Sequence, residues 1–248
     1  MLCCIPARYE SSRLPGKPLL KINSKTIINL VYEQVLKTKI TDIIVLTDDD
    51  RIYEEVLSFG GNCVIVTEEC LNGTERIIKY LNSINNSKYD VIINVQGDEP
   101  FIEPEVIDKV IDNFIKKKPT CSTVCYKTDD KDEIILKSRG KTIIDKNNNI
   151  LYCSRNVIPT NKKDNIIPDY LYNIHVGIFV YNKNYLLNEY LKENTQYQLT
   201  EDIEWLKIIE QGYNVNTIFS DKLERGVDTK EDYEYLLNKY QKTISKIY

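Results

Sequence analysis

The sequence predicts an α/β protein built on a mainly parallel β-sheet. Short β-branched and apolar runs alternate with amphipathic helical patterns through the first half of the chain. The run Val91–Val95 is apolar at nearly every position, as expected for a strand that is covered on both faces. Alternation of strands and helices at this spacing is typical of right-handed βαβ units, which place the strands parallel to one another.

The first half contains four predicted strands and four predicted helices. The helix that begins at Asp50 is closed by Gly60 and Gly61, and either Asn72 or Thr74 marks the start of the next. The strands are Leu2–Ile5, Asp42–Leu46, Asn62–Thr67 and Val91–Val95, and the helices are Thr26–Lys37, Asp50–Phe59, Gly73–Ile84 and Pro104–Lys117.

The second half is richer in strands and ends in a helix. A turn at Asn147–Asn149 separates two strands that pair as a hairpin, and Asn161–Asp169 is a polar loop. Thr200 is the expected N-cap of a helix that Gly212 ends. The strands are Ser122–Lys127, Thr142–Asp145, Ile150–Tyr152, Tyr172–Tyr181 and Val215–Phe219, and the helices are Lys183–Lys192, Thr200–Gln211 and Lys230–Ile247.

Composition excludes several classes of protein. The 248 residues carry a formal net charge of −4, so no global field attracts nucleic acid. No apolar run reaches transmembrane length, and no secretory leader is visible at the N-terminus. Seven scattered cysteines without a CxxC pair, and a single histidine, argue against zinc and favour reduced thiols. We therefore expect a cytoplasmic protein of one domain, 1–248, with no nucleic-acid or membrane partner.

The loop after the first strand carries Arg8, Arg13 and Lys17 together with Gly16. Backbone N–H groups and cations in such a loop suit a polyphosphate. An exposed, flexible N-terminus would also be rich in charge. Three prolines in this stretch restrict the backbone and favour a rigid phosphate-binding loop.

Two acidic residues are candidate ligands for Mg²⁺. Asp98 follows the strand Val91–Val95 and a glycine, and Asp228 precedes the last helix. Magnesium takes one or two carboxylates plus phosphate oxygens and water. Each aspartate could instead cap the helix that follows it, and this interpretation is stronger for Asp228.

Two further features each have two interpretations. The run Asp48–Asp50 resembles the DxD metal motif of glycosyltransferases, but helix capping explains it better. His175 is the only histidine and lies in an apolar strand, where it could be a structural residue or a contact to a sugar hydroxyl or carboxylate.

A set of ten segments spans nearly the whole chain: Ile5–Arg8, Ser12–Leu19, Thr47–Asp49, Gly73–Ile77, Asn94–Pro100, Leu151–Tyr152, Ser154–Arg155, Ile158–Pro159, His175–Ile178 and Gly226–Thr229. In this order they resemble the 3-deoxy-manno-octulosonate cytidylyltransferase (CMP-Kdo synthetase) family. The loop and the segment Asn94–Pro100 alone are shared more broadly by nucleotidyltransferases, and the combination is specific.

The resemblance implies a Rossmann-like nucleotidyltransferase fold with a smaller β-rich subdomain for the sugar and for dimerisation. It divides the chain near residue 120 into a nucleotide-binding half and a sugar-binding half, and it implies a homodimer. The implied reaction is attack of the anomeric hydroxyl of a sugar acid on the α-phosphorus of CTP. The implied site residues are Arg8, Arg13, Lys17, Thr74, Glu75, Arg76 and Gln96 for CTP, Asp98 and Asp228 for Mg²⁺, and Arg155, His175 and Glu204 for the sugar, with Arg8, Arg13, Lys17 and Asp98 catalytic.

The sugar-binding segment departs from the family pattern. A Glu-Gln-Leu-Arg run in the family is matched here by Glu204-Trp205-Leu206-Lys207. Arginine and lysine are not equivalent toward a carboxylate. An amino-Kdo or nonulosonate type of sugar acid therefore stays open as the substrate. The sequence is also compatible with a glycosyltransferase or with a degenerate nucleotide-binding protein that has lost its activity.

Overall fold

A computed structural model describes residues 1–11, 13–193, 195–221 and 223–244. The chain divides into two compact units. The first unit comprises Met1–Ile107 together with the C-terminal segment from Glu224, and the second comprises Asp108–Leu223. The C-terminal segment thus belongs with the N-terminal residues and not with the half of the chain that precedes it.

The first unit contains a parallel sheet with β1 at its centre. In parallel register, β1 pairs with β4 on one side and β6 on the other, and β4 pairs with β5. The strands are β1 (Leu2–Pro6), β2 (Lys21–Ile22), β3 (Lys25–Thr26), β4 (Ile43–Thr47), β5 (Cys63–Ile65) and β6 (Val91–Val95). The helices are α1 (Ile27–Leu36), α2 (Asp50–Ser58), α3 (Gly73–Ser83), the start of α4 (Pro104–Lys117), and α9 (Lys230–Ile244).

Local capping sets where these helices begin. The Thr26 side chain accepts a hydrogen bond from Asn29 N, and Asp49 accepts one from Arg51 N. Asn72 is the N-cap of α3, which decides between the two predicted candidates. At the other end of α2, Gly60 has a φ of 80°, which few other residues adopt readily.

A small apolar cluster joins the C-terminal segment to the N-terminal residues within the first unit. Its buried members are Ile22, Ile27, Val227 and Leu236. Phe101 and Tyr240 pack against it with their rings stacked 3.9 Å apart between centroids. The cluster therefore holds the segment around Asp228 beside the start of the chain.

The second unit has a mixed sheet centred on β7. Strand β10 pairs with β7 in antiparallel orientation, β11 pairs with β7 in parallel, and β8 pairs with β10 and β9. The strands are β7 (Cys121–Thr128), β8 (Lys141–Ile144), β9 (Ile150–Ser154), β10 (Tyr172–Asn182) and β11 (Val215–Ser220), and the helices are α5 (Lys131–Ile134), α6 (Lys183–Asn188), α7 (Gln196–Glu201) and α8 (Leu206–Glu210).

The predicted α/β class with a mainly parallel sheet is confirmed, and two helix predictions are corrected. The helix predicted over Thr200–Gln211 is two short helices, because Asp202 has a φ of 53° and ends α7. Thr200 lies inside α7 and is not its cap. Helix α6 stops four residues before the predicted end at Lys192. The hairpin β2–β3 and the short helix α5 were not predicted.

The predicted elements otherwise match the observed ones within a few residues. The last residues of the final predicted helix, 245–247, lie outside the described residues, as does Ser12 of the phosphate-binding loop. Among the helices that the structure describes, none is both long and apolar enough to cross a membrane. All seven cysteines are free thiols, and burial raises the pKa of Cys3, Cys4, Cys121 and Cys153.

Candidate active site

A cluster of four charged side chains lies in the first unit. The Lys17 ammonium is 2.6 Å from an oxygen of Asp98 and 3.5 Å from an oxygen of Asp228. Arg13 forms an ion pair with the other oxygen of Asp228. Burial lowers the pKa of Lys17, but the two carboxylates outweigh this effect and raise it. Lys17 is therefore a permanent cation, and both aspartates face the same point.

A backbone contact explains why the two aspartates meet. Val227 N donates a hydrogen bond of 2.8 Å to the carbonyl of Asp98. Gly226 makes this approach possible, since a Cβ there would lie 2.9 Å from the Asp98 carbonyl oxygen and from the Glu99 carboxylate. Contacts that close do not occur for real side chains, so the position requires glycine.

The phosphate-binding loop is held by backbone geometry and an aromatic stack. Gly16 has a φ of 68°, and its N–H donates to the Tyr9 carbonyl at 2.8 Å. The Arg51 guanidinium stacks on the Tyr9 ring, 3.2 Å from the centroid, and Asp49 binds that guanidinium through both carboxylate oxygens. Arg8 is exposed at the start of the loop.

The residues predicted near the cytosine and ribose have internal partners in the structure. Thr74 is buried on α3, and its hydroxyl accepts from Asn94 at 3.4 Å. The Glu75 carboxylate accepts from Leu71 N at 2.9 Å and so helps to cap α3. Gln96 is half-buried directly after β6. Their contacts to a nucleotide remain predictions.

Arg76 links three elements of the first unit. Its buried guanidinium donates to Asp48 at 2.6 Å and to the Val66 carbonyl at 3.2 Å. Asp48 is thus paired with an arginine, and Asp49 caps α2 and binds Arg51. Asp49 thus caps a helix, as the capping interpretation predicts, and Asp48 has a structural partner that was not predicted.

The predicted sugar-binding residues all lie in the second unit and converge on Glu201–Lys207. The Arg155 guanidinium donates to the carbonyls of Glu201 at 2.9 Å and Asp202 at 2.7 Å. These bonds hold the end of α7 where the helix breaks. Glu204 is half-buried, and its carbonyl accepts from the Tyr190 hydroxyl at 3.2 Å.

His175 lies on β10, where it packs against Trp205. The two ring centroids are 4.9 Å apart, and Trp205 is only 2% exposed. The His175 Nε2 atom is 2.9 Å from the Thr123 hydroxyl. Burial lowers the pKa of His175 to about 3, so the imidazole is neutral near pH 7.

Lys207, which takes the place of the family's arginine, is buried. Its ammonium lies 4.8 Å from the centroid of the Tyr190 ring. The Trp205 and Lys207 side chains therefore belong to the interior of the second unit.

Several residues that shape the site were missed by sequence reasoning. Thr123 positions His175, Arg51 supports the phosphate-binding loop, and Glu201 binds Tyr152, Ser154 and Arg155. The partners are separated widely along the chain, so no local pattern could have revealed them.

The described residues contain no group of three or more His, Cys, Asp or Glu side chains arranged to hold a metal ion. The pair Asp98 and Asp228 is therefore a two-carboxylate arrangement at most. Such a pair can hold an ion only when further oxygen ligands come from a substrate or water.

Comparisons with known proteins agree on one group of enzymes. A family model described as cytidylyltransferase matches residues 2–224. The chain is 37% identical over 244 residues to a 3-deoxy-manno-octulosonate cytidylyltransferase of Fusobacterium nucleatum, and the match covers 98% of each protein. It is 38% identical to the mitochondrial 3-deoxy-manno-octulosonate cytidylyltransferase of Arabidopsis thaliana, covering 93% of this chain and 79% of that protein.

Solved structures show the same similarity. A structure of CMP:2-keto-3-deoxy-manno-octonic acid synthetase complexed with CTP matches with a TM-score of 0.86 and 30% identity, and 98% of each chain is covered. The 4-diphosphocytidyl-2C-methyl-D-erythritol synthase of Anaerococcus prevotii matches with a TM-score of 0.63 at 17% identity and covers 97% of this chain. The second likeness concerns the fold alone.

Proposed function

The chain belongs to the 3-deoxy-manno-octulosonate cytidylyltransferase family, and from that membership we propose that it transfers CMP from CTP to the anomeric hydroxyl of 3-deoxy-manno-octulosonate (Kdo), releasing pyrophosphate. The resemblance drawn from the sequence is thereby confirmed. The observation that carries the proposal for this chain is the cluster in which Arg13 and Lys17 meet Asp98 and Asp228.

Arg8, Arg13 and Lys17 bind the phosphates of CTP in this proposal. Gly16 directs the loop backbone, and Lys17 stays protonated because two carboxylates face it. An arginine fork binds phosphate oxygens in pairs, while a lysine acts as a point charge. Thr74, Glu75, Arg76 and Gln96 form the base and ribose side of the pocket.

Asp98 and Asp228 are the proposed ligands of Mg²⁺. The donor set fits, because both carboxylates face one point, where the Lys17 ammonium lies. With only two protein ligands, the remaining positions fall to phosphate oxygens and water, which is how magnesium is usually bound with nucleotides. When bound, the ion would polarise the α-phosphate and lower the pKa of the attacking hydroxyl.

The protein's own groups position the reactants and stabilise charge. Arg13 and Lys17 stabilise the pyrophosphate that leaves in line with the attacking oxygen. The stack of the Arg51 guanidinium on Tyr9 supports the loop that carries these cations. Removing one such electrostatic contact commonly lowers the rate by about 10²- to 10³-fold.

Arg155, His175 and Glu204 bind the sugar acid in this proposal. Trp205 and Lys207 stand where the family carries glutamine and arginine, and this difference supports a related amino-Kdo or nonulosonate acid as the second candidate substrate. Both side chains are buried, so they alter the substrate site through their neighbours.

A homodimer in the cytoplasm is the assembly we propose. Exposed apolar side chains lie on the second unit, with Leu151 55% exposed on β9 and Leu199 62% exposed on α7. We assign these two side chains to the proposed dimer interface. Sedimentation velocity of the wild type and of the Leu151→Glu variant tests this assembly, which predicts a dimer that the charge weakens.

The decisive experiment for the reaction is pyrophosphate release from CTP across a panel of sugar acids, with and without Mg²⁺. We expect release with Kdo or a close relative, only with Mg²⁺, and its loss in Asp98→Asn. Binding of CTP without turnover by any sugar acid would identify a degenerate nucleotide-binding protein. Activity of Asp98→Asn equal to wild type would remove the proposed metal ligand.

A further inference from the structure

His175 lies next to an irregularity in β10. Along β10 and β7, Val176 is opposite Val124, but Phe179 is opposite Thr123, so β10 has two extra residues between these pairs. Bulges of this kind are frequent beside functional sites because they redirect side chains. Here the bulge brings the Thr123 hydroxyl to both His175 and the carbonyl of Ile178.

The Thr123 hydroxyl determines which nitrogen of His175 carries the proton. It donates its only hydrogen to the Ile178 carbonyl at 2.6 Å. The 2.9 Å contact to His175 Nε2 then requires that Nε2 be the donor. In a neutral imidazole, Nδ1 is therefore an acceptor. No described residue hydrogen-bonds Nδ1.

The plane of the imidazole is held by two aromatic rings. The centroids of Trp205 and Phe179 lie 4.9 and 5.2 Å from that of His175, tilted by 33° and 32°. Trp205 is 2% exposed and Phe179 is fully buried, so both act on a ligand only through His175. The ring is thus fixed in orientation by packing and in tautomer by Thr123.

We propose that Thr123 and Trp205 are positioning residues, which hold His175 so that its Nδ1 accepts a hydrogen bond from a hydroxyl of the sugar acid. This inference rests on the proposed function. A carboxylate is excluded as the partner of Nδ1, because both atoms would present lone pairs to each other. The sugar carboxylate must therefore bind elsewhere. The lowered pKa of His175 agrees with a neutral ring.

The single histidine makes the tautomer directly measurable. We expect ¹⁵N NMR of protein labelled at histidine to show one neutral imidazole near pH 7, protonated at Nε2 and unprotonated at Nδ1. Addition of Kdo to protein saturated with a non-reacting CTP analogue should shift the Nδ1 resonance toward lower frequency, as accepting a hydrogen bond does. A protonated Nδ1, or no response to Kdo while Kdo binds, would overturn the inference.

Thr123 offers a matched set of variants. Thr123→Val, of nearly the same shape, should mix the tautomers and raise the KM for the sugar acid about 10-fold, with the KM for CTP unchanged. Thr123→Ser should restore both properties. The control is Thr217→Val, a buried threonine on β11 whose hydroxyl bonds to the backbone carbonyls of Thr123 and Ile218 and to the Cys125 thiol, but not to His175.

Two outcomes separate this inference from the proposed function. Thr123→Val with an unchanged tautomer and an unchanged sugar KM would overturn the positioning role. The second outcome concerns the wild type. If the Nε2–H tautomer is present but the protein releases no pyrophosphate with Kdo and CTP, and the Nδ1 resonance does not respond to Kdo, the substrate assignment and the hydroxyl contact are both overturned. The role of Thr123 in setting the tautomer would then stand.

Discussion

At the scale of single residues, the candidate active site depends on how closely two backbone segments approach. The Asp98 carbonyl accepts from Val227 N, and Gly226 leaves room for this bond. This backbone contact alone brings the carboxylates of Asp98 and Asp228 close together, and their side chains need not touch. A change of one methyl group at Gly226 is therefore a test of the whole arrangement.

We expect Gly226→Ala to lower activity about 10²-fold, because displacement of reacting groups by about 1 Å has an effect of that size. The new Cβ would clash with the Asp98 carbonyl and the Glu99 carboxylate. Steady-state kinetics with CTP and the sugar acid measure the loss. Gly60→Ala is the control for backbone strain without a clash, since its φ of 80° disfavours alanine but nothing lies within 4 Å of a Cβ there. Equal activity of the two variants would contradict the role of the close approach.

Lys17 provides the second residue-scale test. Lys17→Ala should weaken the binding of CTP about 10²-fold and that of CMP far less, because the ammonium is assigned to the outer phosphates. Isothermal titration calorimetry with both nucleotides measures the difference. Lys21→Ala removes an exposed lysine four residues away and serves as the control. Equal losses for CTP and CMP would show that Lys17 does not contact the outer phosphates.

At the scale of elements, the break between α7 and α8 is held from outside the helices. Arg155 follows β9 and donates to the carbonyls of Glu201, the last residue of α7, and of Asp202. The Glu201 carboxylate accepts hydrogen bonds from Ser154 Oγ and Arg155 N. The segment that carries Glu204 and Trp205 is thus attached to β9. The geometry of this segment depends on the Arg155 guanidinium, whose N–H donors point in several directions.

Arg155→Lys should lower the free energy of unfolding by about 2 kcal/mol, because an ammonium cannot replace two or more separate hydrogen bonds, each worth about 1 kcal/mol. Urea denaturation monitored by circular dichroism measures the change. Arg225→Lys is the matched control, since Arg225 has similar exposure but contacts its partners through a long ion pair with Asp232 and a stack on the Tyr235 ring, not through hydrogen bonds to carbonyls. A loss no larger than in the control would argue against this anchoring role.

At the scale of the whole molecule, His175 makes the stability depend on pH. Its pKa is about 3 in the folded protein and is near 6.5 when exposed, so the unfolded chain binds a proton first as the pH falls. The contribution of a neutral His175 to stability is therefore fully present above pH 6.5 and is lost progressively between pH 6.5 and 3.

The expected difference in slope between wild type and His175→Asn is about 1.4 kcal/mol per pH unit within that window, and zero above it. Urea unfolding of both proteins at pH 7.5, 6 and 5 measures the difference. The contributions of all other titrating groups cancel, because both proteins share them. Parallel slopes throughout would show that His175 is not held neutral.

Much of the fold could be predicted because it follows local patterns. The bounds of β6 and α4 agree with the prediction residue for residue. The break at Asp202 could not be predicted, since bonds from Arg155, 46 and 47 residues away along the chain, stabilise it. Thr123 was missed for the same kind of reason, because its contact to His175 depends on a bulge. The pairing of Asp98 with Asp228 followed from family resemblance and not from spacing.

The ion cluster has a consequence for how ligands enter. Before any ligand binds, two positive and two negative side chains neutralise one another. On the proposed assignments, a nucleotide that binds alone must draw Arg13 and Lys17 away from the two carboxylates. A divalent ion that binds alone must displace the same two cations from the carboxylates. When both bind together, the divalent ion pairs with the carboxylates, and the phosphates pair with the cations that it displaces. Nucleotide and metal should therefore bind with positive cooperativity, and by linkage each should strengthen the other by the same factor.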